Sequence, residues 1–470
     1  MKLPEYDLAV IGAGASGLIA ADFALRLKAR TALIDKGPIG GDCTWTGCVP
    51  SKSLIKAATV AHHVRSAARF GVEAGNPQVD MTQVRAYLRS TIDQIYEPTK
   101  PENLEKKGMD VLIGPATFVN PHTLKVGDRT IRARKFLINT GAEPKIPAID
   151  GLAHVPYFTY QKIFENDRLP AHLIVIGGGP IGCEIAQAYR RLGARVTIVA
   201  EHLLPREDPE VSELMERVFA GEGVERIAAR ALAVTSKEGE IAVQTPAGNM
   251  CGDMLLMAVG RAPLVRNLGL ESAGVRYSER GIEVDSFLQT SAKHIYAAGD
   301  VIGGPQYSHL AGWQGFQAVR NALLPGNGKG MSDSLSRITF TSPEVAQVGL
   351  TERAARERYS SQKLQVMTFD ISKVDRAVNE DDRQGLLKII ALRGGRILGA
   401  VIVGERAGET ITELSVAIHN RLKLADLAAT IHPYPTYSSG VQFLTTRMAM
   451  EQAFSGTYGK VLRTVSAWWR

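Results

Sequence analysis

Cysteine is scarce in this chain, with four in 470 residues, far below the density at which disulfides hold a secreted scaffold together. The opening Met1-Lys2-Leu3-Pro4-Glu5-Tyr6-Asp7 lacks the apolar core of a signal peptide. No apolar run reaches the roughly 20 residues that a membrane-spanning helix needs, and no block of lysine and arginine resembles a nucleic-acid-binding arm. The formal net charge of +7 is spread along the sequence, which suits small anionic ligands. These absences predict a soluble, cytoplasmic protein that binds neither membrane nor nucleic acid. The length leaves room for about two to four domains.

Glycine, by contrast, is placed with purpose. Tyr6-Asp7-Leu8-Ala9-Val10-Ile11 reads as a buried strand, and Gly12-Ala13-Gly14-Ala15-Ser16-Gly17 as a tight turn into a helix. The next strand, Thr31-Ala32-Leu33-Ile34-Asp35, ends in an acid. In such a βαβ unit Gly12 permits the turn, Gly14 lets backbone N–H groups approach a pyrophosphate, and Gly17 allows the helix to pack closely. Asp35 then stands where a ribose hydroxyl can be bound. The design recurs with Gly177, Gly179 and Gly182 after Leu173-Ile174-Val175-Ile176, followed by Arg195-Val196-Thr197-Ile198-Val199 and Glu201. Two such folds imply two dinucleotides. A carboxylate at the second strand's end favours a 2′-hydroxyl over a 2′-phosphate, so Glu201 points to NADH, with NADPH possible because Glu201 lies one residue beyond the usual position.

Two of the four cysteines, Cys43 and Cys48, sit just downstream of the first glycine turn, in Gly40-Gly41-Asp42-Cys43-Thr44-Trp45-Thr46-Gly47-Cys48-Val49-Pro50-Ser51-Lys52. A disulfide accepts two electrons and passes them on as a dithiol, which matches the hydride that a nicotinamide delivers. Cys183, in the helix behind the second turn, is expected to pack against the sheet, and Cys251 to be an ordinary thiol.

These motifs together resemble the pyridine nucleotide-disulfide oxidoreductases, the group of lipoamide dehydrogenase, glutathione reductase and mercuric reductase, and the likeness runs nearly end to end. Asn139-Thr140-Gly141 and Val259-Gly260-Arg261-Ala262-Pro263 are similar to that family's crossover segments. Ile295-Tyr296-Ala297-Ala298-Gly299-Asp300 is similar to its second flavin motif, and Phe340-Thr341-Ser342-Pro343-Glu344 to the opening of its dimerisation domain.

The resemblance implies an α/β protein of glutathione reductase-like fold, with two Rossmann-like domains and a C-terminal α+β dimerisation domain. FAD would be bound by residues 1–150 and 278–335, NAD(P) by 151–277, and the dimer would form through 336–470. It also implies that Asp300 binds the ribityl chain, that Gly141 and Gly260 line the cofactor sites, that Cys43 exchanges with substrate and that Cys48 faces the flavin. Lys52, near the flavin's reactive edge, would pair with Glu184. Runs such as Gly385–Ile390 and Ile397–Val403 read as antiparallel strands, and Glu409–Leu422 as a helix.

The family's disulfide reductases carry His-Pro-Thr-x-x-Glu near the C-terminus, supplied by the partner subunit, because thiol–disulfide exchange needs a base and a carboxylate to orient it. Here the segment is His432-Pro433-Tyr434-Pro435-Thr436-Tyr437-Ser438-Ser439. Aligning Pro435-Thr436 with the motif puts Tyr434 at the histidine and Ser439 at the glutamate, while a bent loop would let His432 act as the base.

Mercuric reductases likewise place a tyrosine at the histidine position. Yet their second, C-terminal cysteine pair has no counterpart in Lys460–Arg470, and no cysteine-bearing module precedes the first strand, so weak mercury turnover is expected.

Three readings follow. The chain is a mercuric-reductase-like enzyme acting on a thiol-bound metal or small electrophile, a lipoamide dehydrogenase or related disulfide reductase with a rearranged loop, or a flavin-bearing binding or redox-sensing protein that docks a lipoyl-bearing protein. All three are homodimers without a resident metal. His309, His62-His63 and Trp468-Trp469 are read as packing or capping residues.

Overall fold

The computed structural model describes residues 5–470, leaving aside the side chains of residues 456 and 458. They fall into two compact units. One takes in the chain up to Glu201 together with Val224–Met331, and the other His202–Gly223 with Ser332–Arg470. The fold is α/β, as the glycine turns predict. The three-part division at about residues 150, 278 and 335 remains our proposal.

The first unit holds both nucleotide folds. In its seven-stranded sheet Glu5–Ile11 lies between Thr31–Asp35 and Arg129–Ile138, parallel to both, and Ile295–Ala297 joins Arg129–Ile138 in parallel. Leu8, Ala9 and Val10 are fully buried because helices cover one face of this sheet and a second apolar cluster the other. Helix Ala15–Arg26 turns Ala20, Ala21 and Ala24 toward Leu8, Val10 and Leu33; small side chains bring the helix axis close to the sheet. A four-stranded parallel sheet, in the order Val224–Ile227, Arg195–Val199, His172–Ile176, Met254–Met257, carries the second fold. The two crossover segments meet as a ribbon, Ala142–Pro144 antiparallel to Arg261–Pro263.

The second unit is built on an antiparallel sheet in the order Ser336–Thr339, Glu344–Gly349, Ile397–Gly404, Leu386–Leu392, Leu364–Asp370. Helix Ala407–His419 begins two residues before the expected start and ends at His419, where Asn420 N–H donates to Val416 O. Its Ile411, Leu414 and Ala417 join Ala346, Ile389, Ala400 and Ile402 in one core.

The surprise lies in Leu386–Leu392, an apolar strand whose Lys388 is 1% exposed. Its ammonium donates to Asp208 at 2.7 Å, Glu352 at 3.1 Å and Glu210. These carboxylates form the one grouping of metal-ligand type among the described residues, and lysine supplies the positive charge at its centre. Burial pulls the lysine's pKa down, but its acidic partners outweigh that and hold it above the usual value. No described helix is long and apolar enough to cross a membrane.

Candidate redox site

The first glycine turn is shaped by close approaches. Gly12 has φ +107°, and a Cβ there would lie 2.4 Å from Asn139 O; at Gly17 it would lie 1.9 Å from Gly12 O. Gly12→Ala is therefore expected to abolish FAD retention through both clash and strain, measured as bound flavin per subunit after gel filtration. Asp35 accepts from Ala13 N at 2.7 Å and Gly37 N at 2.9 Å. Burial raises its pKa, and those bonds oppose the rise.

Helix Ala15–Arg26 starts without a side-chain cap and without an acid in its first turn, which leaves its N-terminal dipole for an anion. Beside it, Ser16 Oγ and Asn139 Oδ1 are buried with no hydrogen-bond partner. An uncapped helix start and two orphaned polar atoms around a glycine turn fit a dinucleotide's pyrophosphate and ribose.

The cysteine segment is pinned against that turn. Gly40 N donates to Ala13 O at 2.9 Å, and a Cβ on Gly41 would come within 2.8 Å of Gly14 Cα, so the two stretches meet backbone to backbone. Cys43 lies in the short helix Gly41–Trp45, half-buried, while Cys48 is exposed and opens helix Cys48–Ser66.

Cys43 donates a hydrogen bond to Cys48, which with Ser308 and the Lys52 charge brings the Cys48 pKa down to about 6 against the opposing effect of burial. The Cys43 thiol is raised for the complementary reasons: it donates to Cys48 and is itself buried. The pair thus shares one proton, with the negative charge on Cys48 at the helix start. Ser308 Oγ lies 3.3 Å from Cys48 Sγ.

Lys52, one turn along the same helix, donates to Glu184 Oε2 at 2.9 Å, and Glu184 is nearly buried. Lys52→Met is expected to raise the Cys48 pKa by about one unit, since it removes a neighbouring cation; thiolate ultraviolet absorbance against pH measures this.

Asp300 is held by Arg261 at 2.6 Å, and the same guanidinium reaches Asp42 at 2.9 Å. Tyr160 O–H also donates to Asp42 at 2.8 Å. Burial raises the Asp300 pKa, and Arg261 opposes the rise. One arginine from a crossover segment therefore joins the second flavin motif to the residue before Cys43.

The second glycine turn repeats the first. Gly177, at φ +122°, could carry a Cβ only 2.4 Å from Ala258 O, and Gly182 only 2.0 Å from Gly177 O. Gly179 faces open space, as do Gly141 and Gly260, both at positive φ. Helix Pro180–Leu192 is likewise uncapped. Glu201 is exposed and paired with Arg230 at 2.9 Å. Cys183 is buried, with its Sγ toward Gly178 O, whereas Cys251 is exposed on strand Gly248–Gly252.

In the second unit, the C-terminal segment takes a form that motif spacing did not reveal. His432 Nε2 meets Glu413 Oε1 at 2.6 Å and Nδ1 meets Thr430 O at 2.9 Å, with the ring almost buried. Both nitrogens face acceptors. Ser439 is buried and donates to Thr436 O at 2.6 Å. Tyr434 is exposed, and its O–H donates to Asp375 Oδ2 at 2.5 Å. That bond raises the tyrosine's pKa. His309 stacks on Tyr307 at 5.5 Å, His62 and His63 lie on helix Cys48–Ser66, and Trp468 and Trp469 are exposed on helix Gly456–Trp469.

Sequence reading missed Ser308, Asp42, Tyr160 and Glu413. Asp42 alone carried a local signal, as the residue before the first cysteine.

Comparison with known proteins agrees with this geometry. Residues 6–315 match the family model described as pyridine nucleotide-disulphide oxidoreductase, and residues 335–444 match its dimerisation domain. The chain is 37% identical over 452 residues to a mercuric reductase of Streptomyces lividans, covering 93% of this chain and 95% of that one. It is 33% identical over 450 residues to a dihydrolipoyl dehydrogenase of Thermus scotoductus, covering 93% and 96%.

Among solved structures, the HOCl-induced flavoprotein disulfide reductase RclA from Escherichia coli superposes with a TM-score of 0.84 at 28% identity, over 94% of this chain and 99% of that one. Glycine turns, paired cysteines and relatives converge: the chain belongs to the class I pyridine nucleotide-disulphide oxidoreductases, enzymes that use FAD and NAD(P)H.

Proposed function

We propose that this enzyme takes two electrons from NADH, passes them through FAD to the Cys43–Cys48 disulfide, and delivers them from the resulting dithiol to a thiol-bound soft metal ion or another small electrophile. When bound, FAD supplies the relay between a hydride donor and a two-electron sulfur acceptor. The protein's residues do the rest. Cys48 holds the thiolate, favoured by the Cys43 thiol, Ser308 and Lys52, and Glu184 keeps Lys52 in place. Cys43 presents the exchanging sulfur. Re-forming the disulfide from this thiol–thiolate pair releases two electrons to the acceptor and the one shared proton to solvent.

The C-terminal segment carries the substrate assignment. Disulfide exchange needs a base with an available nitrogen, and here Tyr434 is a phenol bound to Asp375 while His432 is committed at both nitrogens. A metal dithiolate needs no such proton relay. Mercuric reductases among the relatives, and an RclA structure described as a Cu(II) complex, support this reading. The dimerisation domain supports a homodimer, in which this segment would serve the other subunit's cysteines, and we place the enzyme in the cytoplasm.

A second reading rests on Glu413. It gives His432 a carboxylate partner at 2.6 Å, which is the composition of a disulfide reductase's relay, and a dihydrolipoyl dehydrogenase is among the relatives.

Anaerobic NADH oxidation with lipoamide, run in parallel with Hg(II) and Cu(II) held by excess thiol, separates the two. We expect turnover with the metals and at least about 10²-fold slower turnover with lipoamide, the usual size of a missing acid–base group. Rapid lipoamide turnover lost in Glu413→Gln would establish the second reading instead.

A further inference from the structure

Helix Gly456–Trp469 lies beyond residue 444, where the match to the dimerisation-domain model stops, so membership of the family gives it no task. It meets the preceding helix, Ser439–Phe454, backbone to backbone at Gly459, which is buried and has no room for a Cβ beside Phe454 O. Past that elbow it packs on little. From Lys460 to Arg470 every residue is exposed except the half-buried Leu462. The packing expected of Trp468 and Trp469 is not found, since they stand 86% and 85% exposed.

The helical repeat sorts these residues into two faces. At about 3.6 residues per turn, Val461, Leu462, Val465, Trp468 and Trp469 share one side. Lys460, Arg463 and Arg470 fall on the opposite side. Residues 456–470 contain those three cations and no aspartate or glutamate. Val461 and Val465 are themselves exposed, and a contiguous apolar stripe left in water marks an interaction surface.

The charge selects the occupant. A second copy of this helix would bring three more cations and no carboxylate to meet them. An anionic lipid surface supplies the missing charge, takes indoles at the depth of its headgroups and leaves the basic side in water.

We propose that helix Gly456–Trp469 is an in-plane anchor that docks this enzyme on the surface of an anionic phospholipid bilayer, with Trp468 and Trp469 inserted. It lies on the bilayer and does not span it, because its 14 residues rise only about 21 Å against roughly 30 Å of hydrocarbon. The expectation of no membrane contact rested on the lack of a long apolar run, which excludes a span but not an interfacial helix. The anchor does not depend on which acceptor the cysteines reduce.

Sedimentation of the flavin-loaded protein with vesicles tests this, using phosphatidylcholine alone and equal parts of phosphatidylcholine and phosphatidylglycerol. Binding to the mixed vesicles should be at least about tenfold tighter, because each basic residue near an anionic surface adds several-fold, and should weaken as salt rises. Tryptophan emission should move to the blue on binding. Trp468→Ser with Trp469→Ser should remove both signals. Lys460→Gln, Arg463→Gln and Arg470→Gln together should remove the preference for anionic vesicles. Bound flavin, molar mass and NADH oxidation in solution should stay as in the unaltered protein, because all these changes lie at exposed positions.

No binding to the mixed vesicles, or equal binding to both compositions, would overturn the proposal. So would a fall in molar mass when Trp468→Ser and Trp469→Ser are combined, which would make the helix a contact between subunits.

Discussion

Cys43→Ser is expected to lower turnover of a thiol-bound metal by at least about 10³-fold, because it removes the sulfur that meets the substrate. The same variant should leave the titration of Cys48 nearly unchanged. A serine hydroxyl at position 43 can still donate toward Cys48, and Ser308 and Lys52 remain; these are the groups that bring the Cys48 pKa down to about 6. Cys48→Ser should abolish turnover equally but also abolish that titration, leaving the thiol of Cys43, which burial alone still raises, as the nearest sulfur to titrate. Since Cys48 is depressed, its thiolate absorbance rises as pH increases through about 6 and is lost on acidification. Thiolate absorbance of both variants against pH, beside their rates, checks the division of roles. Equal titration in the two variants would contradict it.

Lys388→Ala should destabilise the protein by about 3–5 kcal/mol, the cost of leaving a buried charge without its partner. Asp208 is 5% exposed and receives the lysine at 2.7 Å, so removing the ammonium strands its carboxylate. Lys388→Met alone should do no better, since it fills the volume but not the charge. Lys388→Met with Asp208→Asn should recover part of the loss, because a pair replaced as a whole is often near neutral. Urea unfolding of the three variants reads the differences, and a loss below about 1 kcal/mol for Lys388→Ala would show the cluster to be solvated.

Local chemistry made some parts of this protein legible and long-range packing hid others. The glycine turns at Gly12 and Gly177 could be read because a turn between strand and helix demands residues at fixed short spacing, and both prove to have backbone within 2.4 Å of any added Cβ. The cysteine pair was readable for the same reason.

Ser308 was not readable, because it reaches Cys48 across 260 positions and only the sheet topology brings them together. Arg261 was noticed as part of a crossover motif, but its double contact with Asp42 and Asp300 depends on how the ribbon Ala142–Pro144 and Arg261–Pro263 lies. Lys388 ran against the pattern: an apolar strand with one lysine suggests a solvent-facing position, and its three acids come from elsewhere in the chain. At His432 the motif spacing showed a missing carboxylate at Ser439. It could not show that Glu413, 19 residues earlier, approaches the ring.

The central claim is that electrons from the nicotinamide reach the Cys43–Cys48 pair. Anaerobic addition of NADH to the oxidised, flavin-loaded protein, followed by alkylation and mass spectrometry, tests it directly. The account predicts that the first equivalent of NADH per subunit makes both Cys43 and Cys48 alkylatable while Cys183 stays protected by burial. Consumption of NADH with Cys43 and Cys48 still joined would contradict it.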